Sequence, residues 1–166
     1  MDHSHHSHPL STGRPGAARP RRPSLNRIAL MATLHCLLGC AIGEVAGLLI
    51  GTALGWGNTS TIALAVVLAF VSGFGLTALP LLRAGMAPRQ ALRIALAADA
   101  ASITIMELVD NALMLSIPGA MDASIDSPLF WASMLVALAI AGVAAYPLNR
   151  WLIARGKGHA LAHAHH

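Results

Sequence analysis

Residues able to hold a cation or a proton lie inside two apolar stretches of this sequence. The first stretch carries His35, Cys36, Cys40 and Glu44. Cys36, Cys40 and Glu44 recur at every fourth position, so a helix places them on one face with His35 at its rim. The second stretch carries Asp99, Met106, Glu107, Asp110, Asn111 and Met114. These fall on one side of a helix whose other side is Ala97, Ala101, Ile105, Leu108, Val109 and Ala112. Thiolates and thioethers select Cu(I) and other soft cations, imidazole suits copper and zinc, and carboxylates suit protons or hard cations. The candidate metal ligands are therefore His35, Cys36, Cys40, Glu44, Asp99, Met106, Glu107 and Asp110, with copper ahead of zinc. No haem is expected, because His35 is the one histidine within an apolar stretch.

The ordinary explanations differ in strength. A cysteine in an apolar helix is often a small hydrophobe, and His-Cys-x3-Cys is not a standard zinc spacing. Met106 and Met114 read more readily as packing than as ligands. The acids resist such an account: an ionisable side chain at bilayer depth costs at least ~2.5–3.5 kcal/mol on insertion scales. Three in one helix need water, partners or a bound cation.

The elements that position these residues follow from composition. The chain has 166 residues, 55% hydrophobic and only 11% charged, against about 25% charged in an ordinary soluble domain. Its charges cluster in short segments separated by long apolar runs. The expected fold is all-α, a bundle of four transmembrane helices at about 28–54, 61–82, 92–117 and 128–153. Residues 1–26 form a His- and Arg-rich arm, 27–154 the membrane domain, and 155–166 a His-rich tail. The arm (HSHHSH, then RPGAARPRRPSLNR) offers too little apolar surface to order itself. Pro118-Gly119 ends the third helix, Ser127 and Pro128 open the fourth, and Pro147 is expected to bend it.

Charge sets the orientation. All 11 Lys and Arg residues lie in the arm, in the middle loop RAGMAPRQALR or near the C-terminal end. With four spans these segments share one side, which the positive-inside rule makes cytoplasmic. The location is a plasma (inner) membrane, multi-pass, with both termini inside. Arg21-Arg22 loosely matches a twin-arginine export signal, and Leu37-Leu38-Gly39-Cys40 a lipoprotein box. Yet the apolar run continues past Cys40, too long for a signal-peptide core. The formal charge of +4 comes without a basic stripe interleaved with aromatics, so nucleic acid is not a partner. Lipid headgroups are.

Gly39, Gly43, Gly47, Gly51 and Gly55 also repeat every fourth residue, interleaved with the Cys/Glu face, and let another backbone approach closely. The first and third helices cross in the same direction, so depths compare at ~1.5 Å per residue. Cys36 should match Asp99, Cys40 should match Met106, and Glu44 should match Glu107, if the two helices are neighbours. The terminal histidines could capture Cu, Zn or Ni at the cytoplasmic face; they also read as solvated tails or remnants of an expression tag.

The run ATLHCLLGCAIGEVAGLLIGTALGW, Ala32 to Trp56, resembles a family of small bacterial four-helix membrane proteins catalogued as a domain of unknown function, number 4396. AADAASITIMELVDNALML, Ala97 to Leu115, is similar to its second signature. The resemblance implies the four-helix fold and marks His35, Cys36, Cys40, Glu44, Glu107 and Asp110 as characteristic positions. It supplies no activity, although some members carry a loose copper label.

The leading expectation is a protein that binds or translocates a metal cation, copper first, as a homo-oligomer or alone. One alternative is a membrane dithiol redox protein using Cys36 and Cys40, about 6 Å apart on a helix. Another is a non-catalytic subunit of a membrane complex. No nucleotide loop, Ser/His/Asp set or helical His-Glu-x-x-His motif appears, which leans away from an enzyme.

Overall fold

The computed structural model describes residues 24–155; the terminal histidine clusters lie outside the described residues. Four helices account for nearly all of them: α1 (Leu25–Ala53), α2 (Asn58–Arg83), α3 (Pro88–Ser116) and α4 (Pro128–Ala154). No strand occurs among the described residues.

The helix ends follow local chemistry. The Ser24 hydroxyl accepts a bond from the Arg27 N–H at 3.4 Å, so α1 starts inside the end of the polar arm. α1 and α2 stop in the same way. Gly55 (φ 66°) and Gly85 (φ 85°) take the left-handed conformation in which an L side chain is strained. The N–H of Trp56 then reaches Gly51 O at 2.9 Å and that of Met86 reaches Leu81 O at 3.1 Å, closing each helix with a Schellman turn. α3 opens at Pro88 as its first residue, earlier than hydropathy implies. Proline fits this position because its missing N–H has no intrahelical partner there. Arg89 and Arg93 thus lie on the helix, in what the charge pattern alone assigns to the loop. α4 opens at Pro128, with the Ser127 hydroxyl accepting from the Leu129 N–H at 3.2 Å, and it continues through Pro147.

The helices are arranged in the order α1, α2, α3, α4 around the bundle, each touching its two neighbours; α1 also touches α3, whereas α2 and α4 scarcely meet. The cross-section is therefore a rhombus with α1 and α3 on the short diagonal. The tightest seam is α1 against α2. A methyl group built on Gly43 would stand 2.1 Å from the Ala69 nitrogen, one on Gly47 2.4 Å from Ala65 Cα, and one on Gly39 2.7 Å from Gly73 Cα. Such contact is within reach only of residues without a Cβ. The glycine ridge thus serves an internal contact. The Ser72 hydroxyl crosses the seam, 2.6 Å from the Gly39 carbonyl. On the other side, Asn149 of α4 donates to the Thr33 hydroxyl at 2.9 Å, and Arg150 to the Asn26 side chain at 2.8 Å.

The outer surface is apolar. Val143 is 75% exposed, Leu108 65% and Leu135 63%, a surface that would be a liability in water and is ordinary in lipid. Three helices, α1, α2 and α4, are long and apolar enough to cross a membrane. α3 falls outside that group because Asp99, Glu107 and Asp110 interrupt its apolar run. Opposite the termini, Asn58 donates to Asp122 at 3.2 Å. In the same loop Ser124 donates to Asp126 and holds its carboxyl below the usual carboxylate range.

Gly43→Ala should destabilise the protein by about 1–3 kcal/mol, the usual range for overpacking, because the new methyl meets backbone. Gly75→Ala, with nothing within 4 Å of the added methyl, should be neutral or stabilising, since alanine is the better helix former. Thermal unfolding in one detergent reads both; equal midpoints for the two variants would contradict the α1–α2 seam.

Candidate cation site

The seam between α1 and α3 holds most of the chemistry. Cys36 and Cys40 are 2% and 0% exposed, and both are free thiols. On α3, Asp99, Glu107 and Asp110 are 1%, 4% and 4% exposed. Their burial follows from the 3.6-residue period: the apolar residues Ala97, Ala101, Leu108 and Ala112 take the exposed side, so the acids must point in.

The side chains meet in pairs along the axis. Nearest the termini, the Cys36 thiol donates to Asp99 Oδ1 at 3.8 Å, with the Ser102 hydroxyl beside the sulfur. Next, Cys40 faces the Glu107 carboxyl. Asn111 donates to Glu107 Oε2 at 3.4 Å and to the Glu107 carbonyl at 2.9 Å. Farthest from the termini, the Glu44 carboxyl meets that of Asp110. The first pair has the depth expected from helix arithmetic. The other two are displaced: Glu107 meets Cys40 rather than Glu44, and Glu44 takes Asp110 instead. Glu44 and Glu107 remain close enough to interact electrostatically. Side chains on both helices lean toward their N-termini, and the long Glu107 arm leans back far enough to reach Cys40.

Other expected members stand differently. His35 turns away from the column to α2, its Nε2 3.1 Å from the Thr77 hydroxyl. Met106 is fully buried and belongs to the core cluster that also holds Cys36, Cys40, Ala69 and Ile103, where it packs as a core side chain.

Glu44, Glu107 and Asp110 are incompletely satisfied among the described residues. Glu44 Oε1, Glu107 Oε1 and Asp110 Oδ1 are buried with no hydrogen-bond partner among the described residues. Two carboxyl groups in contact are both acceptors. Only a proton or a cation between them turns that contact attractive. A cation also fits the donor set, thiol plus carboxylate twice and carboxylate plus carboxylate once. Among the described residues, however, no three His, Cys, Asp or Glu side chains converge as ligands of one ion. The seam offers pairs, which suit a low-coordinate soft ion and not the closed four-ligand geometry of structural zinc.

A cavity of about 70 Å³ adjoins the outermost pair. Glu44, Asp110 and Asn111 line it together with Met114, Met121 and Met134. Sequence reasoning reached Met114 but missed the other two. Met134 lies one turn beyond Phe130 on the same side of α4, so helical spacing could have found it; Met121 is a loop residue with no periodic signal.

A known family matches the part of the chain that contains this seam. The chain belongs to the family described as a domain of unknown function, DUF4396. The match covers residues 26–158, hence all four helices and every paired residue. No curated protein and no solved structure matches the chain. The family's description names no activity and leaves the chemistry to be argued from the seam.

The burial of both thiols has a direct readout. In the folded, detergent-solubilised protein Cys36 and Cys40 should resist alkylation by a water-soluble maleimide, and both should react once the bundle is unfolded. Mass spectrometry counts the adducts; prompt labelling of either thiol in the folded protein would contradict the seam.

Proposed function

We propose that this protein crosses the plasma membrane four times with both termini in the cytoplasm, and that it binds and passes a cation, copper(I) before zinc, along the α1–α3 seam. The observation that carries this reading is the stack of three donor pairs, in which Glu44 Oε1, Glu107 Oε1 and Asp110 Oδ1 are buried without a hydrogen-bond partner among the described residues.

Several features support α3 as the fourth span. It has 29 residues, about 43 Å of helix at 1.5 Å per residue, more than a ~30 Å hydrocarbon core requires. Its acids face the other helices, while Leu108 and Leu115, 65% and 64% exposed, face outward. Tryptophans mark the two interfaces. Trp131 and Trp151 on α4 are separated by about 30 Å of helix, the thickness of the core, and Trp56 lies at the Trp131 end. Arg155 stacks on Trp151 at 4.1 Å, as expected of a basic anchor at the cytoplasmic boundary. Reporter fusions at residue 155 and within the Ala120–Ser127 loop should report cytoplasm and exterior respectively. The same side for both would remove the four-span topology.

Copper(I) is preferred to zinc because thiols, with Met106 in the same core cluster, are soft donors and because they come in pairs. The spacing supports passage: each pair would serve as a weak, low-coordinate station, and successive pairs lie within one or two helical turns. A dithiol redox role draws less support, because both sulfurs are enclosed and each faces an acid.

Anaerobic titration with Cu(I) against a chromophoric chelator tests the assignment. Wild type should take up more copper than either Cys36→Ser/Cys40→Ser or Glu107→Gln, by about one equivalent, while all three keep the same terminal histidines. Identical uptake across the three proteins would sink the column.

A further inference from the structure

The cavity at the loop end of the bundle is a separate place from the thiol pairs, and its lining is unusual. Three of the chain's 7 methionines converge on it from three different segments: Met114 from the end of α3, Met121 from the α3–α4 connection and Met134 from the second turn of α4. Met114 and Met134 are 7% and 5% exposed, and Met121 is half-buried. All three belong to one cluster with Phe130 and Ala137. Packing alone accounts for methionines in a core. It does not account for acids on the same wall. Asp110 is 96% buried, as its 4% exposure states; it lines this cavity, and its Oδ1 has no hydrogen-bond partner among the described residues. Glu44 lines the cavity as well.

We propose that this cavity is a port for a soft monovalent cation of the Cu(I) or Ag(I) class, held by the thioethers of Met114, Met121 and Met134 and handed to the Glu44–Asp110 pair. Neutral thioethers bind soft cations without demanding deprotonation and discriminate against Na⁺, K⁺ and Mg²⁺, which prefer oxygen ligands. The adjoining carboxylates supply the negative charge that the thioethers lack. The port thus provides selection and the acid pair provides charge compensation, at the end of the bundle remote from Arg27, Arg83 and Arg150. This deepens the proposed function and rests on it for what happens to the ion afterwards; binding at the port does not.

Silver(I) is the probe, because it needs no reductant. Peptide mass spectrometry of the full chain in detergent follows peroxide oxidation of each methionine to its sulfoxide. Met86, in the α2–α3 connection, is half-buried like Met121 but lies at the opposite end, so it serves as the internal control. Silver should slow oxidation at Met121 by about tenfold, as coordination occupies the sulfur lone pair that the oxidant attacks, and leave Met86 unchanged. The protection should persist in Cys36→Ser/Cys40→Ser, weaken in Asp110→Asn, and weaken at Met121 in Met114→Leu/Met134→Leu, a nearly volume-conserving pair of changes. Unchanged oxidation of Met121 in the presence of silver overturns the port, as does equal protection of Met86. If Met121 is protected but Glu107→Gln takes up as much copper as wild type, the port stands and the column fails. If the column's copper is lost as expected but Met121 is unprotected, the port alone fails.

Discussion

The contact on which the structure depends is the near-direct apposition of α1 and α2 backbones along the Gly39–Gly51 ridge. Between helices in lipid, the hydrophobic effect supplies little attraction, because the surrounding chains are as apolar as the side chains. Close packing supplies it instead. By removing every Cβ from one face of α1, the sequence lets α2 approach to the point where an added methyl would strike main-chain atoms. Ser72 then reaches the Gly39 carbonyl across the seam. Gly39 and Gly43 sit one residue before Cys40 and Glu44, so the approach to α2 also fixes the rotation of α1. That rotation aims Cys36, Cys40 and Glu44 at α3.

The acids of α3 are the counterpart of that constraint. Charged groups in a dry interior must find partners, and the rhombic arrangement gives them one place to do so, the short diagonal. There each acid meets either a thiol or another acid. Neither is a strong counter-charge, and no basic side chain stands among the paired residues. The same arrangement that buries Glu107 and Asp110 therefore leaves part of their acceptor capacity unused among the described residues, which is the capacity the proposed cation would take up.

Much of this was legible in the residues. Four helices, inward-facing acids on α3 and small-residue packing on α1 all follow from spacing and hydropathy, because helical periodicity dictates which positions share a face. Register was harder. Rise per residue correctly matched Cys36 with Asp99 but put Glu44 beside Glu107, since side-chain lean and arm length act on top of backbone height. His35 shows another limit: one position from Cys36, it is about 100° around the helix, and that places it against Thr77 of α2 rather than in the column. The start of α3 was obscured by Arg89 and Arg93, whose charge reads as loop although Pro88 is a helix-opening residue. Met121 could not be found at all, because a loop carries no period.

The pairing along the short diagonal also has an electrical consequence. Eight residues separate Glu44 from Cys36, about 12 Å of helix axis, or roughly two fifths of a ~30 Å hydrocarbon core. Under the proposed function, a monovalent ion passing between these two residues would cross a corresponding fraction of the transmembrane field, which is worth ~2.3 kcal/mol per elementary charge at 100 mV. In a membrane that is negative on the side of the basic segments, ~0.9 kcal/mol of bias toward that side would result. For the proposed ion, that bias would change the relative occupancy of the two positions by roughly four- to fivefold without any moving part. Occupancy along the diagonal would then report the polarisation of the membrane as well as the concentration of the ion.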